Sequence, residues 1–95
     1  MEKGKRASIV KYEVEITESA GKSLEKIPKR DRLKILEKID TLEQDPVPAG
    51  SIKLKGYGEA LYRIRSGDYR IVYSIKQDVL IVLIVEIGHR REIYR

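Results

Sequence analysis

A block in the C-terminal half of the sequence places three arginines around a Gly-Asp pair. The block, LYRIRSGDYRIVY, spans residues 61–73, and its arginines are Arg63, Arg65 and Arg70. A guanidinium group is planar and donates parallel hydrogen bonds, so arginine suits the recognition of phosphate oxygens. Fixed guanidinium groups also stabilise the negative charge that builds up when a phosphodiester is attacked. The residue types therefore favour a surface that binds the phosphates of a nucleic acid.

A second block near the end of the sequence adds further cations and a phenol. It reads IGHRREIY over residues 87–94 and contains His89, Arg90, Arg91 and Tyr94. Guanidinium groups beside a phenol are suited to surrounding a phosphodiester. His89 is the only histidine, and histidine readily exchanges protons near neutral pH. A polar residue at a turn is the simpler interpretation of His89.

The three arginines of the first block share one face if the chain turns back at Gly67-Asp68. A two-residue turn there makes the flanking segments an antiparallel hairpin with a defined register. The predicted pairs are Ser66 with Tyr69, Arg65 with Arg70, Ile64 with Ile71, Arg63 with Val72, and Tyr62 with Tyr73. One face then carries the arginines. The other carries core residues, namely Tyr62, Ile64, Ile71 and Tyr73.

The predicted register sets like charges against each other. Arg65 directly opposite Arg70 destabilises a sheet by up to about 1 kcal/mol, so the pairing favours a functional role for the arginines. The alternative is that Asp68, Glu86 or Glu92 neutralises them in an ion-pair network.

Periodicity predicts the elements that position these residues. Residues 11–17 alternate as a half-buried strand, and Thr17 caps a short helix that ends at Pro28. A second helix is expected over residues 29–44, and its apolar stripe comprises Leu33, Leu36, Ile39 and Leu42, flanked by Ile35. Two prolines and three glycines mark residues 45–59 as one long loop.

Three strands complete the chain, over residues 61–66, 69–76 and 79–87, with a second tight turn at Gln77-Asp78. The last strand lacks alternation and is expected inside the sheet with both faces covered. The order β-α-α-β-β-β predicts an α+β fold in which a helical hairpin packs on a mainly antiparallel four-stranded sheet. Residues 1–95 are expected to form one domain, with residues 1–10 as a flexible or irregular extension.

Composition narrows the function classes. The net charge is +5, and the excess of cations is C-terminal: residues 52–95 hold 9 basic and 5 acidic residues, against 11 and 10 before them. Cysteine is absent, which excludes disulfides and cysteine-based metal sites and leaves the cytoplasm as the expected compartment. The longest apolar run, residues 79–85, is too short to span a membrane.

The sequence resembles the RelE/ParE superfamily of toxins from toxin-antitoxin pairs. The resemblance rests on the opening strand and helical hairpin, on LKG at residues 54–56, and on the blocks at residues 61–73 and 87–94. These features occur in order and cover nearly the whole chain after residue 10. RelE-branch members are ribosome-dependent endoribonucleases that cut mRNA, whereas ParE-branch members inhibit DNA gyrase.

The resemblance to the RelE branch implies a set of site residues. The implied catalytic residues are Arg63, Arg65, Arg70, Arg90 and Tyr94. The implied RNA contacts are Lys53, Lys55 and Arg91. This set favours an mRNA endoribonuclease that needs no metal and no cofactor, because arginines can stabilise the charge that a metal otherwise stabilises.

The proton acceptor for such a cleavage stays open. Many RelE members have lysine where this sequence has Arg63 and Arg65, and arginine does not give up its proton. Tyr94 is one alternative, since neighbouring cations favour a phenolate, although it can instead stack on an RNA base. His89 is the other alternative.

The resemblance also implies partners, namely a RelB-like antitoxin, the ribosome and mRNA, with no membrane. An acidic segment of the antitoxin would suit the basic face. Two other functions stay open from the sequence. They are gyrase inhibition of the ParE kind and nucleic-acid binding without catalysis, which weakens linearly with the logarithm of salt concentration.

Overall fold

The computed structural model describes residues 11–54, 60–89 and 91. The elements are β1 (Glu13–Ile16), α1 (Glu18–Glu25), α2 (Lys29–Thr41), β2 (Ile52–Leu54), β3 (Leu61–Ser66), β4 (Tyr69–Lys76) and β5 (Ile81–His89). Several predictions concern residues outside the described part, namely the extension over residues 1–10, Lys55, Arg90, Glu92 and Tyr94.

The strands form one sheet in the order β1-β5-β4-β3-β2. β1 is parallel to β5, and every other neighbouring pair is antiparallel. The predicted α+β fold is therefore confirmed, with one correction: the sheet has five strands instead of four. The additional strand β2 lies in the segment predicted as a loop, where three residues gain strand geometry by pairing with β3.

Thr17 is the N-cap of α1, as predicted. Its hydroxyl accepts a hydrogen bond from the amide of Ala20 at 3.2 Å, which satisfies one of the amides that a helix start leaves without a partner. The far end of α1 is held by Arg32, whose guanidinium donates to the carbonyls of Glu25 and Ile27 at 3.4 and 3.3 Å. These bonds join the two helices into the predicted hairpin.

The side of α2 that packs on the sheet centres on Ile35, Ile39 and Leu42, which are all at most 2% exposed. Leu33 was predicted to belong to this stripe, but it is 52% exposed. It lies two residues from Ile35 and so points to roughly the opposite side of the helix. α2 also ends at Thr41 and not near Gln44, since the chain enters a turn there.

The hairpin of β3 and β4 has the predicted register, pair for pair from Ser66 opposite Tyr69 to Tyr62 opposite Tyr73. Gly67 adopts a φ of +61° in the turn, a conformation that glycine accepts without steric cost. Ile64, Ile71 and Tyr73 are at most 2% exposed, and Tyr62 is half-buried against the core, so the predicted core face is confirmed.

β5 begins later than predicted because its turn is longer. The turn spans residues 77–80 rather than two residues, and Leu80 has a φ of +55°. A bulge between Val72 and Tyr73 of β4 and β5 then leaves Val85 as the extra residue. Val82 and Ile84 before the bulge and Ile87 after it are therefore all buried, which explains why the strand lacks simple alternation.

Within the described residues, neither helix is long and apolar enough to cross a membrane.

Candidate active site

Three arginines lie on the sheet face that points away from the buried core residues. Arg65 is directly opposite Arg70, and Arg63 is opposite Val72 on the same face. We call Arg63, Arg65 and Arg70 the arginine face. Their exposure differs, since Arg63 and Arg70 are 8% and 6% exposed whereas Arg65 is open to solvent. Electrostatic interactions of a guanidinium are stronger where water is partly excluded.

The arginine face rests on a rigid layer. Tyr73 is fully buried beneath it, its ring stacks on Tyr62 with the centroids 5.8 Å apart, and its hydroxyl donates to the carbonyl of Pro46 at 2.7 Å. Burial is the main cause that raises the pKa of Tyr73 to about 12. The phenol is therefore protonated, and can donate this bond, at any physiological pH.

Carboxylates near the arginine face come from β5 and the hairpin turn. Glu86 is opposite Val72, so it shares the face with Arg63, and it is exposed. Asp68 is exposed in the turn. The ion pairs of the described residues include those of Lys11 with Glu43 and of Lys22 with Glu18, which lie outside β3, β4 and β5.

His89 lies on the other side of the sheet from the arginine face. It is opposite Tyr69, which shares its face with the buried Ile71 because side chains alternate along a strand. The His89 and Tyr69 rings meet edge to face with centroids 5.6 Å apart. The Nδ1 atom of His89 accepts a hydrogen bond from the amide of Arg91 at 3.2 Å.

Lys53, which was predicted to contact RNA, also lies away from the arginine face. Lys53 is exposed on the edge strand β2 and pairs with Tyr62, so it lies on the helix side of the sheet. Arg91 is exposed just beyond β5. The structure thus brings together Arg63, Arg65 and Arg70, and it keeps Lys53 and His89 on the opposite face.

Sequence reasoning did not single out Lys38, which the fold brings to the same cavity as Arg65. No periodic pattern signals this, because the shared cavity depends on how α2 packs against β3. Across residues 11–54, 60–89 and 91, no group of three or more histidine, aspartate and glutamate side chains is positioned to hold a metal ion.

Comparison with known proteins agrees with this fold. Residues 14–94 match the family described as the ParE toxin of the type II toxin-antitoxin system, parDE. The chain is 34% identical over 89 residues to a protein named as toxin RelE1 of Methanocaldococcus jannaschii, covering 90% of this chain and 98% of that protein. It is 31% identical over 85 residues to toxin RelG of Mycobacterium tuberculosis, covering 88% and 97%.

A solved structure extends the likeness to three dimensions. The archaeal RelE-RelB complex from Pyrococcus horikoshii contains a chain that superposes with a TM-score of 0.75 at 38% identity, covering 85% of this chain and 97% of that one. The family match extends over most of the chain, and the named relatives are RelE toxins. The chain belongs to the ParE toxin family of type II toxin-antitoxin systems, and within it to the RelE kind.

Proposed function

We propose that this toxin is a ribosome-dependent endoribonuclease that cuts mRNA and thereby inhibits translation in the cytoplasm. The observation that carries the proposal is the direct opposition of Arg65 and Arg70, with Arg63 on the same face. Opposed like charges cost a sheet stability, and a polyanion bound to that face relieves the repulsion. RNA is such a polyanion.

The proposed reaction is attack by a ribose 2′-hydroxyl on its neighbouring phosphate. The new bond joins the 2′-oxygen to phosphorus, the bond from phosphorus to the 5′-oxygen breaks, and a 2′,3′-cyclic phosphate and a 5′-hydroxyl result. Negative charge builds up on the phosphorane and on the leaving oxygen. Arg70 and Arg90 are assigned first to stabilising that charge, with Arg63 and Arg65 beside them, and no metal is needed for it.

The reaction also moves two protons, one from the 2′-hydroxyl and one to the 5′-oxygen. The guanidinium groups do not act as the base, because arginine keeps its proton throughout the accessible pH range. His89 pairs with Tyr69 across the sheet from the arginines, which argues against direct contact with the reacting phosphate. Tyr94 is therefore the proposed proton acceptor, in keeping with the resemblance of the final block to RelE toxins.

The proposed protein partner is a RelB-like antitoxin. The related RelE of Pyrococcus horikoshii is in complex with RelB, and the net charge of +5 suits an acidic segment that covers the arginine face. Co-expression of the toxin with the antitoxin encoded beside it, followed by native mass spectrometry, is expected to yield a complex. Two separate proteins would contradict this part of the proposal.

A second candidate function follows from the family match, whose description names ParE. A toxin that inhibits DNA gyrase by binding protein needs no arrangement of arginines around a phosphate. It would leave mRNA intact and lower the rate of supercoiling.

One experiment separates the two functions. Purified toxin is incubated with ribosomes that translate a defined mRNA, with the same mRNA alone, and with gyrase and relaxed plasmid. The expected result is cleavage within the codon held by the ribosome, none in free mRNA, and undiminished supercoiling. Intact mRNA on ribosomes together with inhibited supercoiling would overturn the nuclease in favour of the second candidate.

A further inference from the structure

A cavity opens between α2, the loop that precedes β2, and the end of β3. Its volume is about 460 Å³, a size typical of ligand sites. Of the residues that the structure describes, six line it: Lys38, Ala49, Gly50, Ile64, Arg65 and Gly67. Lys38 and Arg65 are cations from two different elements, and none of the six is acidic. The charge of the lining therefore favours an anion.

The fold fixes one cation on each side of the cavity. Lys38 precedes the buried Ile39 on α2, and Ile35 is fully buried one turn earlier, so packing on the sheet sets the position of this part of the helix. Lys38 itself is half-buried. Arg65 is the penultimate residue of β3, where pairing with Arg70 fixes the backbone.

The third wall is a loop tied to the core. The Tyr73 hydroxyl binds the carbonyl of Pro46, and the amide of Ser51 donates to the carbonyl of Pro48 at 3.0 Å. Gly50 has a φ of +93°, and a Cβ atom built there meets no atom within 4 Å. A Cβ atom built at Gly67, across the cavity, likewise meets no atom within 4 Å. Glycine at both positions lets a ligand approach the main chain closely.

From these features we infer that the cavity binds a backbone phosphate of the RNA strand that the toxin cleaves, beside the phosphate that reacts. The inference rests on the proposed function for the identity of the ligand. Arg65 belongs to the arginine face and also lines this cavity, so the two sites, which lie on opposite sides of the sheet, adjoin at the end of β3. A single strand that follows a positively charged groove meets successive cations in this way. Lys38 is thus a binding residue rather than a catalytic one.

The experiment measures binding of a 2′-O-methyl RNA of about ten nucleotides, a length within common site sizes. The blocked 2′-hydroxyl prevents cleavage, so binding is read independently of catalysis. Affinity is measured by fluorescence anisotropy over about 50 to 200 mM salt. The variants are Lys38→Ala, Lys38→Arg, which keeps the charge, and Lys34→Ala as the matched control on an exposed position of α2. Circular dichroism verifies that each variant is folded.

Each phosphate contact to single-stranded nucleic acid contributes about 0.7 to the slope of log affinity against log salt. Lys38→Ala is expected to reduce the slope by that amount, which corresponds to about fivefold weaker binding at 0.1 M salt. Lys38→Arg and Lys34→Ala are expected to keep the wild-type slope. Equal slopes for Lys38→Ala and wild type, or no binding by wild type, would overturn the inference.

The result is separable from the test of the nuclease. A reduced slope for Lys38→Ala together with uncut mRNA on ribosomes supports the phosphate site and rejects cleavage. An unchanged slope together with normal cleavage rejects the phosphate site and leaves the nuclease intact.

Discussion

Arg65 lies directly opposite Arg70 on the neighbouring strand in the hairpin of β3 and β4. Two guanidinium groups held at that spacing repel each other, and the cost is greater because Arg70 is only 6% exposed. The strands are held in this register by the buried residues Ile64, Ile71 and Tyr73 on the other face. Apolar packing on one face therefore fixes the opposition of the two cations on the other face.

Arg65→Gln should stabilise the free protein while it weakens cleavage. Removal of one of the two opposed charges is expected to raise the free energy of unfolding by roughly 0.2 to 1 kcal/mol at low salt, and the gain should shrink as salt screens the pair. Urea unfolding of wild type and variant at low and high salt measures this change in the free energy of unfolding. Arg30→Gln, on an exposed position of α2, is the control and should change stability by less than about 0.5 kcal/mol. A loss of stability in Arg65→Gln would mean that Arg65 forms a stabilising ion pair.

Tyr73→Phe should destabilise the protein through its loop. The variant keeps the ring but loses the hydrogen bond to the Pro46 carbonyl, at an expected cost of about 1 kcal/mol in urea unfolding. Tyr62→Phe is the matched control, because its ring stacks on Tyr73 and its hydroxyl binds no residue in the described part of the chain. Equal effects of the two substitutions would contradict a specific role for the bond to the loop.

The stability that Tyr73 adds relative to phenylalanine, measured as the free energy of unfolding, should disappear at high pH. Burial raises the pKa of Tyr73 to about 12 in the folded protein, whereas an unfolded tyrosine ionises near pH 10. The folded state then binds more protons, so the stability from the neutral phenol is complete below about pH 10 and is lost as pH rises through about 12. Between pH 9 and 11 the difference between wild type and Tyr73→Phe should narrow by about 1 kcal/mol. A constant difference would show that the pKa is not raised.

His89→Ala should retain cleavage. His89 lies against Tyr69 on the face opposite the arginines, so the rate on ribosomes is expected to fall by less than about tenfold. A general base contributes roughly 100- to 10,000-fold. A loss in that range, with the low-pH limb of the rate profile removed, would identify His89 as the base despite its position.

The hairpin that carries the arginines was predictable because two local rules agree on it. A two-residue turn fixes which residues are opposite, and the alternation of Ile64 and Ile71 with the arginines fixes which face is buried. Thr17 was predictable for a similar reason, since an N-cap depends on a few neighbouring residues. These features need no knowledge of distant contacts.

Other features depend on tertiary packing and were not predictable. β2 has three residues in a proline- and glycine-rich segment and is a strand because β3 offers a free edge. The bulge that leaves Val85 unpaired shifts which residues of β5 face the helices. The placement of Lys38 and Arg65 at one cavity follows from the position of α2 on the sheet. None of these leaves a periodic signal in its own segment.

The most direct test of the arginine face is the single-turnover rate at which ribosome-bound mRNA is cleaved by wild type, Arg70→Ala and Arg30→Ala. Circular dichroism and urea unfolding first establish that both variants are folded. Arg70→Ala should cleave about 100- to 1,000-fold more slowly than wild type, because one donor to the developing charge is gone, whereas Arg30→Ala should cleave at the wild-type rate. Wild-type cleavage by folded Arg70→Ala would contradict the assignment of the arginine face as the catalytic surface.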